Sequence, residues 1–228
     1  MTGAGPDAVR EHTIGVPLTG TAVALVVIDL QYASACRSTG FGRWLSEHGR
    51  AAEGDYRFTR IEQLVVPNTA RLLTAFRQHG LPRVFVRLGS QAAGCGDLVP
   101  HIRSLEQEFG NIQGAREYEF LDEVVPLPGE PVVTKLSASA FTSSGIDALL
   151  RNLGVAVLVF AGVSTSQCVD LTARDAADRG YRCVIVEDAV AEDAPDYHDA
   201  TLEQFSRLFG AVLPADEVLA ALTGRAEV

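Results

Sequence analysis

Five short apolar runs, over residues 22–28, 83–88, 131–134, 155–161 and 183–186, are rich in valine and show no alternation of polar with apolar residues. A strand with one wet face alternates, whereas a strand covered on both faces of a parallel sheet reads as a continuous apolar stretch. A weaker run follows at 211–213. Between the runs lie stretches of helical character, 68–79, 143–152, 165–179 and 197–208, each followed by a glycine (Gly80, Gly154, Gly180, Gly210) where a helix C-cap belongs. Strand alternating with helix predicts right-handed crossovers and an α/β fold: a doubly wound, mostly parallel six-stranded sheet with helices on both faces. Residues 32–66 and 89–129 have no clear period. They read as long loops or caps with short helices, segments of a kind that often carry function.

A chain of 228 residues suits a single domain of this class, 1–228 with a core over about 21–222. The net charge of −10 and the lack of any Lys/Arg cluster argue against nucleic acid as a partner, because such a surface needs a basic patch to displace counterions. No apolar run reaches the roughly 20 residues of a membrane helix. The stretch MTGAGPDAVREHT lacks the basic start and hydrophobic centre of a secretion signal, so a cytoplasmic location without membrane contact is expected. Cys36, Cys95, Cys168 and Cys183 form no Cys-x-x-Cys pair, which points to free thiols rather than a zinc ribbon or disulfide framework. For three of the four, burial as a small hydrophobe is a sufficient role.

In open α/β sheets the ligand crevice lies beyond the carboxyl ends of the strands, where strand order reverses. Asp29 ends the first run, Lys135 ends the third, and Cys168 opens the helical stretch after the fourth, within GVSTSQCVDLTARDA. A cysteine in a first helical turn feels the positive end of the dipole, and a nearby ammonium lowers its pKa further, so thiolate near neutral pH is expected. A nearby carboxylate can take the thiol proton and later return one to a leaving amine. Taken singly, each residue has a plainer explanation: a cap, a solvated lysine, a packing cysteine.

The segments VVIDLQ, VVTKLSASAF and AGVSTSQCV, in that order, resemble the three signature segments of the isochorismatase-like cysteine hydrolase superfamily, over about residues 21–213. The resemblance is to its amidohydrolase branch, that of N-carbamoylsarcosine amidase, ureidoacrylate amidohydrolase and biuret hydrolase. It implies a three-layer α/β/α fold and hydrolysis of a carbon–nitrogen bond in a small-molecule amide through an acyl-enzyme. Cys168 would be the nucleophile, Asp29 the general base and acid, and Lys135 the group stabilising the thiolate. It also implies a cis peptide at Val163–Ser164, an oxyanion hole from the amides of Ser164 and Cys168, no cofactor, and a homodimer or homotetramer.

The nicotinamidase branch carries Asp-x-His metal ligands after the first strand and a histidine after the second; here those places read DYRFTR and VRLGSQ, so no metal is expected. Asp196 and His198 form the one Asp-x-His, in a place where capping explains it better. Vinyl-ether hydrolysis of the isochorismatase type and a catalytically silent small-molecule-binding relative stay open as alternatives. Nucleotide binding is a weaker one, since the Gly-x-Gly stretches at Gly40 and Gly94 follow no suitable strand-to-helix turn. For the substrate pocket the candidates are Tyr32, Arg37, Trp44, Gln91 and Phe141, the last because it sits at a set distance from Lys135 in the Ser-Ala-Phe stretch. A pocket arginine would suit a carbonyl-rich or anionic substrate; equally, Arg37 could pair with a loop carboxylate and Trp44 could plug a cap.

Overall fold

The computed structural model of the protein describes Val16, Leu18 and residues 22–224. Six strands, β1 (Val23–Ile28), β2 (Arg83–Leu88), β3 (Val132–Lys135), β4 (Val157–Val163), β5 (Arg182–Ala191) and β6 (Gly210–Leu213), form one sheet in the order β3-β2-β1-β4-β5-β6. Every pairing is parallel. The helices are α1 (Tyr32–Ala35), α2 (Gly40–Glu47), α3 (Asp55–Arg60), α4 (Val66–Gln78), α5 (Pro100–Phe109), α6 (Ala140–Ser143), α7 (Ile146–Asn152), α8 (Asp170–Asp178), α9 (Pro195–Leu208) and α10 (Ala215–Leu222).

The unbroken valine runs have the cause expected of them. All six residues of β1 are buried. Val23, Leu25 and Val27 face one core with Phe58, Leu72, Phe76 and Val218 of α3, α4 and α10. Ala24, Val26 and Ile28 face the other, with Ile146, Ala173 and Phe205 of α7, α8 and α9. Helices therefore cover both faces, and strand order reverses between β1 and β4, which lie side by side in register from Val23↔Val157 to Ile28↔Gly162.

Three features of the chain differ from the sequence reading. The helical run that contains Asn68 begins at Asp55, because a π turn at Ile61–Val65 joins α3 to α4. Much of the segment read as loop, 32–66, is thus helical. The helix expected over 143–152 is two helices, since Ser144 is extended (φ −139°, ψ 171°). Gly80, Gly154 and Gly180 adopt positive φ just past helix ends, but Gly210 is no cap. It opens β6, where a Cβ would collide with the carbonyl of Cys183 on β5.

Gly162, opposite Ile28 at the reversal point, has φ 132° and leaves no room for a Cβ against the Ile28 carbonyl oxygen. The β4–β5 register also shifts between Phe160 and Gly162. Gly162→Ala is expected to lower the unfolding free energy by about 3 kcal/mol or more. Gly154→Ala, where only the left-handed conformation is at stake and nothing crowds the Cβ, costs about 1–2 kcal/mol. Urea denaturation of the two variants measures the difference; equal losses would mean that the close approach of β1 and β4 is not constraining.

Candidate active site

Asp29 directly follows β1 and adopts φ 51°, a left-handed conformation uncommon outside glycine though tolerated by aspartate. Its amide donates to the Val86 carbonyl at 2.9 Å, and its own carbonyl accepts from Ser34 Oγ at 2.6 Å. The chain is thus turned off the sheet at this residue and held there. Gln31, two residues on, is wholly buried and stitches β1 to β2. Its Nε2 donates to the Leu88 and Tyr118 carbonyls, both at 2.9 Å, while its Oε1 accepts from the Leu88 amide at 2.9 Å.

Lys135 ends β3 with its side chain removed from solvent. Its ammonium donates to Cys168 Sγ and to the Ser137 carbonyl, both at 3.2 Å, and forms an ion pair with Asp29 Oδ2 at 2.8 Å. Cys168 lies in a π turn, Thr165–Val169, that runs directly into α8. The Val163–Ser164 peptide bond preceding that turn is cis. Glu192, at the end of β5, accepts from the Ser166 amide at 2.7 Å and the Ser166 hydroxyl at 2.6 Å, placing a carboxylate on the positive end of the helical stretch. His198 is also buried here, with Nδ1 2.9 Å from Thr165 Oγ1 and Nε2 3.0 Å from Arg60 Nη2. The Asp-x-His pair is therefore divided: His198 braces the π turn, and Asp196 sits in the first turn of α9. Among the described residues no group of three His, Cys, Asp or Glu side chains could hold a metal ion.

Burial governs the proton affinities. It pushes the Cys168 thiol up to about 12, with the Asp29 charge adding to the rise and Lys135 opposing it. Desolvation thus works against the thiolate expected at neutral pH and outweighs the pull of the ammonium. Burial also raises Asp29 above the usual carboxylate range against the pull of Lys135. For Lys135, burial works against the charged form, but Asp29 and Cys168 more than compensate and hold its pKa above the ordinary lysine value.

Asp29 and Cys168 open onto a cavity of about 200 Å³. Phe41, Ile102, Leu105 and Phe109, from α2 and α5, give it an apolar side; Arg57, Glu106, Gln167 and Asp193 give it polar ones. None of the five pocket candidates lines it. Tyr32 lies beneath the Arg116 guanidinium, 3.8 Å from the ring centroid. Arg37 is neutralised by Asp55 at 2.8 Å and Glu62 at 3.1 Å. Trp44 packs behind the wall, with ring centroids 6.4 Å from Phe41 and 6.3 Å from Phe109. Gln91 is exposed, its amide donating to Asp97 Oδ2 at 2.8 Å. Phe141 points into the core against Tyr181.

The sequence reading missed Arg57, Glu106 and Glu192. Arg57 lies in DYRFTR, the segment examined for metal ligands, and its partner Asp193 is too far along the chain to suggest the pairing.

Among known proteins, the family model described as the isochorismatase domain matches residues 23–217. A ureidoacrylate amidohydrolase, RutB, of Pseudomonas savastanoi pv. phaseolicola is 31% identical over 209 residues, covering 85% of this chain and 81% of that protein. The N-carbamoylsarcosine amidase of Thermoplasma acidophilum superposes with a TM-score of 0.62 at 30% identity, over 85% of this chain and 96% of its own. A cysteine hydrolase from Pseudomonas syringae pv. phaseolicola, 22% identical, shares the fold with a TM-score of 0.75 over 92% of this chain and 97% of its own.

Removing one member of a buried ion pair leaves the other charge without water or partner, which costs about 3–5 kcal/mol. Lys135→Met is expected to lose that much stability, whereas combining it with Asp29→Leu recovers most of it. Chemical denaturation of the wild type, the single and the double variant forms the test. A double variant no more stable than Lys135→Met would show that the pair is not what the buried charges depend on.

Proposed function

The chain belongs to the isochorismatase family, and on that premise we propose that it is a cysteine-dependent amidohydrolase, opening a carbon–nitrogen amide bond of a small molecule through an acyl-enzyme on Cys168. The observation that carries this reading is one buried ammonium, Lys135 Nζ, lying 2.8 Å from the Asp29 carboxylate and 3.2 Å from the Cys168 sulfur, the two groups that open onto the cavity. Relatives named for amide hydrolysis, at 30 and 31% identity, support it.

Asp29 takes the Sγ proton as sulfur bonds to the substrate carbonyl carbon. Burial, by raising the proton affinity of Asp29, makes it a stronger base for a thiol that does not ionise unaided. The carbonyl oxygen gains negative charge and is received by the amides of Ser164 and Cys168 at the start of the helical stretch. Collapse breaks the carbon–nitrogen bond, and the proton on Asp29 passes to the leaving amine. Asp29 then deprotonates a water, which attacks the thioester and releases the acid and the thiol. Lys135 stays charged throughout and holds the two acidic partners in place.

Cys168→Ala is expected to abolish hydrolysis of a small-amide panel and to eliminate any acyl adduct seen by mass spectrometry. Asp29→Asn lowers turnover by roughly 10²- to 10⁴-fold. Its effect on alkylation runs the opposite way: removing the Asp29 charge moves the Cys168 iodoacetamide midpoint to lower pH, whereas Lys135→Met moves it to higher pH. Hydrolysis that persists in Cys168→Ala, or alkylation profiles that shift in neither variant, would overturn the assignment.

A further inference from the structure

Besides Cys168, four ionisable side chains line the cavity: Asp29, Arg57, Glu106 and Asp193. Three of them have charged partners. Asp29 is paired with Lys135. Arg57 has a side chain only 5% exposed and is paired with Asp193 at 2.9 Å. Its remaining hydrogen bonds go to the Ser164 hydroxyl at 2.8 Å and the Ser34 carbonyl at 3.2 and 3.0 Å, and its guanidinium lies over the Phe41 ring. No cation on these walls is left over for an anionic substrate.

Glu106 is the exception. It projects from α5 and is 9% exposed. Oε2 accepts from Asn111 Nδ2 at 2.6 Å, and that amide group is also committed to the Leu88 carbonyl at 2.9 Å. No hydrogen bond reaches Oε1 and no lysine or arginine forms an ion pair with Glu106 among the described residues; Lys135 acts on it only through its more distant charge. Building on the amidohydrolase reading, we infer that Glu106 selects substrates by charge: its free oxygen accepts from an ammonium or another N–H-rich group of the amide substrate, and its presence turns carboxylates away. The ligand class is then small cationic or N–H-rich amides.

This selection depends on pH. Burial pushes Glu106 up to about 7; the Asn111 hydrogen bond and the Lys135 charge oppose the rise, and the Asp29 charge adds to it. The other charged or ionisable groups around the cavity are Cys168 and the Arg57–Asp193 pair. Below about 7 the carboxyl is protonated and neutral, so the preference fades; above it the carboxylate is formed and the preference grows.

Methanethiosulfonate reagents of similar size carrying a 2-aminoethyl, an ethyl or a 2-sulfonatoethyl group test this on the full chain. In each case the thiolate displaces methanesulfinate and forms a mixed disulfide. Since all three consume the same thiolate, the pH dependence of Cys168 cancels in the ratio of their rates, which peptide mass spectrometry resolves from reaction at Cys36. In the wild type the cation-to-anion ratio at Cys168 is expected to exceed that at Cys36 by about tenfold at pH 8.5 and to fall toward it by pH 6. In Glu106→Gln, whose side-chain carbonyl still accepts from Asn111, the ratio stays low at both pH values. A wild-type ratio equal to that of Cys36 at both pH values overturns the inference even if the variant does not fold, as does a Glu106→Gln protein that keeps the preference. Cys168 reacting with none of the reagents would overturn this inference, and the nucleophile reading falls with it only if Cys168→Ala also keeps hydrolysing amides.

Discussion

An ammonium with no access to water is the constraint around which this protein is arranged. Taking such a charge from solvent costs several kcal/mol even after relaxation, and the cost is met only by near-ideal partners. Lys135 has them because three chain segments, the end of β1, the end of β3 and the π turn before α8, place Asp29, Cys168 and the Ser137 carbonyl within 3.2 Å of one nitrogen. Gln31 locks the first of these segments to β2, and Glu192 holds the start of the π turn against β5. The parallel sheet is the rigid mount that makes such convergence repeatable.

The same burial that makes Lys135 demanding keeps Cys168 protonated. A thiol at a helix start beside an ammonium would ionise readily in a wetter site, but here the cost of a second buried charge near Asp29 prevails. Under the proposed chemistry, sulfur becomes nucleophilic only as its proton finds a place, so bond formation and proton transfer are coupled. A thiol held neutral in this way is also less prone to adventitious alkylation and oxidation.

The clustering of Asp29, Lys135 and Cys168 was legible in the sequence because two of them end strands and the third lies in the turn that follows one. Continuous valine runs locate the strands, and a residue ending a buried parallel strand is placed at the crevice by the topology alone. The walls were not legible. Arg57 and Asp193, and Glu106 and Asp29, are brought to one cavity by crossovers, and nothing local to Glu106 distinguishes it from Glu108, the other glutamate of α5. Phe141 misled because nearness in sequence to Lys135 does not set the direction of a side chain, and α6 turns this ring into the core. The helical stretch read over 68–79 was too short for a different reason: the π turn at Ile61–Val65 carries the helical run back to Asp55.

Phe41, Ile102, Leu105 and Phe109 reach the cavity from α2 and α5, elements that supply none of Asp29, Lys135 and Cys168. Architecture therefore separates the tool from its jaw. Exchanging Phe41, Ile102, Leu105 or Phe109 remodels what can enter while Asp29, Lys135 and Cys168 keep their mounting on strand ends and the π turn. A scaffold divided like this can diversify its clientele by drift in one layer of helices, without passing through ancestors whose chemistry has failed.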